Sequence, residues 1–390
     1  MNIGILLPSV YTSRRFGEGR IFAPQSIGVA LADGLVQKGH TVYFYASQDI
    51  ITKAQLVVGD STLTDRDLVY YQFRNRNDLE QKYTTTEIIK RDFENDLTFK
   101  AFQDGMDGRL DIIHSFHDFN SHYFNELTKF PTIYTLHDPL PQSIDTIEYQ
   151  RLKKFSHHSY ISISNSQRKS ILSLSFIATI YHGLDLREYI YDPIGGDHLI
   201  HFGRIMKDKG THTAIEVAQR MKIPIHIATS TIRANRSQDY YDQYIAPKID
   251  NNQVQLIGFL DGKEKSKYIG SGKAFIFPLS WEEPFGLVMV EAMACGTPVI
   301  AYNRGSAAEI VRDGVTGFII DSDNQDRPGK GSWVVKKQGL EGLLEAVQRI
   351  NEISRVTCRK HVEENFTIQK MVDHHELVYQ QLVASQDKGK

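Results

Sequence analysis

The chain predicts an α/β protein built from two doubly wound parallel sheets. Three observations carry that expectation. Short β-rich runs alternate with helical patterns through both halves. The alternation pauses once, at the Gly- and Pro-containing segment YDPIGGD (191–197), and then restarts. At 390 residues the chain is long enough for two cores of ordinary size. Strand, helix, strand in strict order argues for parallel sheets covered on both faces.

In the first half, NIGILL (2–7) is an apolar strand, and a loop containing FGEGR (16–20) follows it. Ile27, Leu31, Gly34 and Leu35 then mark one face of a helix that stops at Gly39. TVYFYAS (41–47), DIIHSF (111–116), TIYTLH (132–137) and YISIS (160–164) are further strands. Residues 60–108 are polar, charged and aromatic. They predict an irregular strand or two near Tyr70, Tyr71 and Phe73, then a helix over 91–104. In the second half, HLIHFG (198–203) is a strand and THTAIEVAQRM (211–221) a helix. IPIHIAT, NQVQLIG, KAFIFPL, TPVIAY and TGFII supply five more strands. Two helical stretches end the chain, one through Leu340, Leu343, Leu344 and Val347, the other through Met371, Val372, Leu377, Val378 and Leu382. The domains expected are 1–190, 191–365, and a C-terminal helix over 366–390 that is free to pack back on the first domain and ends in a frayed tail.

Composition narrows the function. Apolar residues make up 41% and charged residues 24%, as in a soluble globular protein. The net charge of −2 gives no bulk electrostatic case for a nucleic-acid partner. The two cysteines, Cys295 and Cys358, match no metal spacing and form no disulfide framework, so a reducing cytoplasm is expected. MNIGILLPSV lacks a basic region ahead of its apolar run and reads as a first strand. No apolar run is long enough to span a bilayer. The basic stretch QRLKKFSHH (150–158) offers either peripheral contact with anionic lipid or a solvated helix face.

Ligands of such sheets sit outside the carboxyl ends of the strands, so the residues just after strands are the informative ones. In HFGRIMKDKG (201–210), Arg204 and Lys209 follow a strand, flanked by Gly203 and Gly210. Two cations there suit a diphosphate, the guanidinium as a fork and the ammonium as a point charge. Solvated loop cations are the plain alternative. EPFGLVMVE (283–291) follows the strand KAFIFPL. Glu283 precedes a helix start, where the N–H groups of Phe285, Gly286 and Leu287 are free to meet a ligand. Glu291 lies eight residues on, about two turns plus 80° around the helix, so the two carboxylates need not share a face. Either they contact different parts of one ligand, or Glu283 caps the helix and Glu291 pairs with a lysine or arginine. Asp321-Ser322-Asp323 reads as a solvated turn, and Cys358, beside Arg359 and Lys360, as part of a peripheral helix.

GRIMKDKG (203–210) and SWEEPFGLVMVEAMACGTPVIAYNRGSAAEIVRDGVTGF (280–318) together resemble the retaining glycosyltransferases of family 4, which have the GT-B fold. IYHGLDLREY (180–189) resembles their interdomain hinge, and TLHDP (135–139) a first-domain motif. The resemblance implies two Rossmann-like domains facing across a cleft. It implies that Arg204 and Lys209 hold the diphosphate of a sugar nucleotide and that Glu291 takes the ribose hydroxyls. Glu283 and the amides of Phe285 to Leu287 would place sugar and phosphate, and His137 would lie near the donor sugar. Gly203 and the loop Gly17-Glu18-Gly19 would approach the phosphates, although the family commonly has two adjacent glycines there. No cofactor or metal is implied. The partners implied are a UDP- or GDP-type sugar donor and a hydroxyl acceptor, with retention of configuration. A sugar phosphorylase on the same scaffold, or a sugar-nucleotide-binding protein without turnover, are the alternative readings.

Overall fold

The computed structural model describes residues 1–17, 22–64, 79–116, 120–141, 143–169, 171, 173–229, 238–260, 262–323 and 331–387. The chain divides into two compact units. The first comprises residues 1–163, 168–180 and 368–390; the second comprises 164–167 and 181–367.

The first unit is a seven-stranded parallel sheet. Its strands are β1 (Asn2–Leu6), β2 (Thr41–Ala46), β3 (Gln55–Val58), β4 (Ile112–Ser115), β5 (Thr132–Thr135), β6 (Ser159–Ser162) and β7 (Phe176–Thr179). They lie in the order β3-β2-β1-β4-β5-β6-β7. Ile3, Ile5, Phe44, Ile112, Ile113 and Ile133 are fully buried, because helices cover both faces and the strands must be apolar throughout. Helix α1 (Ala23–Gln37) buries Ile27, Leu31 and Leu35. It ends where Gly39, at φ +88°, turns its N–H onto the Val36 carbonyl. Helix α2 (Leu79–Met106) contains the expected 91–104 segment and starts well before it. The strands expected near Tyr70, Tyr71 and Phe73 lie outside the described residues. Helices α3 (Asn120–Thr128) and α4 (Ile147–Lys154) complete this stretch.

The second unit is a six-stranded parallel sheet in the order β10-β9-β8-β11-β12-β13. Its strands are β8 (Leu199–Phe202), β9 (Ile225–Ala228), β10 (Val254–Gly258), β11 (Ala274–Phe277), β12 (Val299–Tyr302) and β13 (Gly317–Ile320). Its helices include α5 (Thr211–Met221), α6 (Gly262–Gly270), α7 (Leu287–Ala294), α8 (Gly339–Arg349) and α9 (Arg355–Asn365). The last helix, α10 (Ile368–Asp387), belongs to the first unit, where Val372 packs so closely on Gly34 that a Cβ there would lie 2.5 Å from it. Glu376 also pairs with Lys38 and His40.

Three expectations need correcting. YDPIGGD has a linker's composition but is a hydrogen-bonded turn inside the second unit. Asp192 accepts from the N–H groups of Ile194 and Gly195, and Arg355 donates to the Asp192 and Gly272 carbonyls. The division therefore falls at 180/181, ahead of the expected 190/191. Helix α9 is not peripheral either: Cys358 is fully buried, and burial pushes its thiol up to about 12. Finally, QRLKKFSHH is only half solvated. Lys153 and Lys154 are exposed, while Leu152, Phe155 and His158 are buried. Among the described residues no helix is long and apolar enough to cross a membrane.

Candidate functional site

In the second unit the strand order reverses between β8 and β11. The crevice outside the carboxyl ends of two such strands is where doubly wound sheets take ligands. Both singled-out motifs leave those two strands. Gly203 follows β8 at φ +146°, and a Cβ there would meet nothing within 4 Å, so the backbone rather than crowding calls for glycine. Gly210 closes the loop at φ +75°; a Cβ there would lie 2.0 Å from the Pro278 carbonyl oxygen. Ser280 N–H donates to the Asp208 carbonyl at 2.8 Å, which ties the two loops together.

Arg204 is exposed and makes no hydrogen bond or ion pair with a described residue. Lys209 is the opposite case. It is 8% exposed, and its ammonium lies 2.7 Å from Glu283 Oε2 and 3.9 Å from the centroid of the Trp281 ring. Burial lowers its pKa below the ordinary lysine value, and the Glu283 carboxylate opposes that shift. Trp281 Nε1 donates to the same Glu283 oxygen at 2.9 Å. Glu283 is thus an ion-pair partner in place of the helix cap that the plain alternative expected. The two residues assigned to sugar and phosphate touch each other.

The turn after Glu283 is held from a third strand end. Gly286, at φ +78° and ψ +59°, is the residue before α7. The N–H groups of Phe285, Gly286 and Leu287 donate to no described residue. The Phe285 side chain is buried among Tyr181, His182 and Phe366, so it anchors the turn. Just after β12, Ser306 Oγ donates to the Phe285 carbonyl at 2.6 Å and Ser306 N–H to the Glu283 carbonyl at 2.9 Å. Gly305 N–H and Arg304 Nη1 both bind the Glu282 carboxylate, at 2.6 and 3.2 Å. Gly305 has φ +57°, and a Cβ there would lie 2.1 Å from the Glu283 carbonyl oxygen. Glu282, Arg304, Gly305 and Ser306 are not among the residues expected from the sequence. NRGS does follow a strand, and the rule applied to β8 and β11 finds it when extended to β12.

Glu291 is 8% exposed on α7. Lys265 Nζ lies 2.7 Å from its carboxylate oxygens, and Tyr189 donates its hydroxyl at 3.0 Å. The alternative that pairs Glu291 with a lysine is the arrangement seen. Lys265 Nζ also sits 5.6 Å from the Phe202 ring centroid, at the end of β8. Arg204, Lys209, Glu283, the 285–287 turn and Glu291 therefore gather around one pair of strand ends.

The expected residues of the first unit look different. His137, just after β5, packs 4.7 Å from the Phe116 ring, and burial pulls its pKa down to about 3, so the imidazole is neutral. Gly17 ends a short helical turn (Arg14–Gly17), where a Cβ would lie 2.5 Å from the Tyr11 carbonyl oxygen; close packing alone accounts for this glycine. Gly19 lies outside the described residues. The Asp321 segment is not a free turn. Asp321 accepts from Asn303 Nδ2, Gly331 N–H and Trp333 Nε1 at 3.1, 2.9 and 2.8 Å.

Residues 195–330 match the family model described as glycosyl transferases group 1. The Bacillus subtilis protein YtcC is 28% identical over 195 residues, 48% of this chain and 46% of that protein. An uncharacterized glycosyltransferase of Methanocaldococcus jannaschii is 23% identical over 333 residues, 76% of this chain and 80% of that protein. The chain covers 34% to 58% of the length of the first three curated relatives it matches. Anabaena HepE, solved with UDP and glucose, aligns over 98% of this chain and 100% of its own, with a TM-score of 0.69 at 17% identity. The chain therefore has the GT-B fold, and the stretch that matches the glycosyl transferases group 1 model is the one that carries the gathered loops.

Proposed function

We propose that the protein is a retaining glycosyltransferase that moves a sugar from a nucleoside-diphosphate sugar to a hydroxyl acceptor without a metal. The observation that carries this reading is the gathering of Arg204, Lys209, Glu283, the 285–287 amides and Glu291 at the ends of β8 and β11. A departing diphosphate gains charge as the glycosidic bond breaks. Arg204, which has no side-chain partner among the described residues, meets it as a guanidinium fork. Lys209 has two N–H donors beyond the one given to Glu283, and the free amides ahead of α7 add fixed positive potential. One preorganised donor of this kind lowers a barrier by roughly 3–4 kcal/mol. Glu291, oriented by Lys265 and Tyr189, accepts from vicinal ribose hydroxyls. Glu283, oriented by Lys209 and Trp281, does the same for the donor sugar. A neighbour solved with UDP and glucose favours a UDP-type donor.

The test is a thermal-shift panel with UDP, GDP, ADP and CMP, with and without EDTA, on the native chain and Arg204→Ala. Stabilisation by one diphosphate, indifferent to EDTA and lost in the variant, is the expected result. No shift with any nucleotide would overturn the donor site.

A further inference from the structure

Outside the loops described above, the first unit holds a second group of convergent side chains. Glu126 lies near the end of α3, and His157 and His158 lie in the turn between α4 and β6. The two histidines are adjacent in sequence, yet both present Nε2 to one carboxylate oxygen. His157 Nε2 is 2.6 Å and His158 Nε2 3.0 Å from Glu126 Oε1. Their rings stand 72° apart with centroids 4.6 Å from each other, so the two nitrogens reach that oxygen from different directions. One ligand atom from each of the three residues lies within 4.8 Å of the other two. We propose that Glu126, His157 and His158 bind a single borderline divalent transition-metal cation, with Zn2+ as the reference case.

The donor set selects the class of ion. Two imidazoles and one carboxylate suit Zn2+, Co2+, Ni2+ or Cu2+; an all-oxygen shell would be needed for Mg2+ or Ca2+. A tetrahedral shell with bonds of about 2.0–2.2 Å sets its ligand atoms roughly 3.3–3.5 Å apart, so the Glu126 oxygen draws back from both imidazole nitrogens by less than about 1 Å to admit the cation. The mobile partner is available for that: the His157 side chain is 61% exposed. The fixed partner is already oriented. His158 is 7% exposed, stacked on Tyr134, and its Nδ1 lies 2.9 Å from Nδ1 of the fully buried His122. A metal-binding imidazole commonly donates its other N–H to a protein acceptor, which fixes ring and tautomer. His122 stands in that acceptor's place. Its ring is stacked on Phe155, and its Nε2 lies 3.4 Å from the Tyr160 hydroxyl. On binding, both ligand histidines take the Nδ1–H tautomer and give Nε2 lone pairs to the cation. Lys129 also pairs with Glu126, but its side chain is 70% exposed and swings away at little cost.

Position decides the role. Glu126 precedes β5, and His157 and His158 precede β6, so the cluster sits at the amino ends of these strands. Ligands of a doubly wound sheet lie at the other, carboxyl ends. A cation here staples α3 to the turn that opens β6, and supports the fold of the first unit without entering the chemistry at β8 and β11.

The experiment uses the full chain, freed of any purification tag and stripped with chelator, and titrated with Zn2+ by calorimetry. The expected result is one equivalent per chain, a raised unfolding temperature, and no competition from millimolar Mg2+. His157→Ala, an exposed position that leaves the fold intact, should weaken binding by at least the roughly 10–100-fold that loss of an outer-shell partner costs. Glu126→Gln should do the same, and the exposed control His374→Ala should bind as the native chain does. Co2+ in place of Zn2+ should give visible absorption that His157→Ala loses. Binding without one-equivalent saturation, or native affinity in His157→Ala, would overturn the proposal.

Discussion

The two units wind their sheets alike, with the first strand central and the order reversing beside it, but they furnish their strand ends differently. In the second unit the ends of β8 and β11 carry a guanidinium with no partner among the described residues, an ammonium–carboxylate pair and three glycines at positive φ. In the first unit, β4, β5 and the helix packed on them carry buried neutral imidazoles. His114 Nε2 meets Thr135 Oγ1 at 2.7 Å, His114 Nδ1 meets the Tyr379 hydroxyl at 2.5 Å, and the rings of His114 and His375 are 5.3 Å apart. A shared topology supplies a place for a ligand and leaves its chemistry to the loops. Charge and strained backbone suit the second unit to the anion that the proposed function places there.

The largest way to break this contrast is to cut its buried ion pair. Lys209→Ala leaves the Glu283 carboxylate, 9% exposed, without its counter-charge. The expected loss is about 3–5 kcal/mol in denaturant unfolding, together with loss of donor binding. Unchanged stability would mean that Glu283 finds water or another donor.

An effect smaller per residue probes the first unit. Burial lowers His137 to about 3, His375 to about 4 and His114 well below the ordinary value. The unfolded chain binds these protons near pH 6.5, and the folded chain refuses them until far lower pH. Stability from these groups is therefore complete above pH 6.5 and falls as the pH drops toward 4. Each ring accounts for about 2 kcal/mol between pH 6.5 and 5. Unfolding curves at pH 7 and pH 5 should show the loss, and His375→Leu should reduce it by that ring's own share, leaving the slope from His114 and His137. His201 in the second unit is likewise lowered to about 4, so some slope remains in that variant.

The smallest effect separates strain from function. Gly39→Ala and Gly286→Ala each put a side chain at positive φ, +88° and +78°; Gly39→Ala should cost about 1–2 kcal/mol, and Gly286→Ala more, because its Cβ would also lie 2.5 Å from the buried Met289 Cε. Only Gly286→Ala should also weaken nucleotide binding in calorimetry, because only Gly286 aims amides at the ends of β8 and β11. Equal affinities would detach the α7 turn from the donor site.

Legibility in the sequence followed the same contrast. The central strands announced themselves because both of their faces are buried. The two strands not foreseen, Gln55–Val58 and Phe176–Thr179, are the edges of the first sheet and are only half-buried, so their apolar signal is weak. The helix around Cys358 was expected, but the polar composition of α9, RVTCRKHVEEN, hid the face that buries Cys358, His361 and Val362. In the site, Arg204, Lys209 and Glu283 could be named because they follow strands at short spacing, and Glu291 because of its spacing from Glu283 in a stretch that resembles a known family. Their partners could not. Lys209 to Glu283, Glu282 to Gly305 and Glu291 to Lys265 close over 74, 23 and 26 residues, and no local pattern encodes which cation meets which carboxylate.

The most direct test of the account is a calorimetric titration of the best-binding nucleoside diphosphate into three chains: native, Arg204→Ala, and Arg220→Ala. Arg220 is an exposed control on α5 that pairs with Glu216. A charge-assisted bond to phosphate is worth about 1.5–3 kcal/mol, so Arg204→Ala should bind roughly 10- to 100-fold more weakly, with Arg220→Ala unchanged. Native affinity in Arg204→Ala would contradict the claim that the ends of β8 and β11 hold the diphosphate.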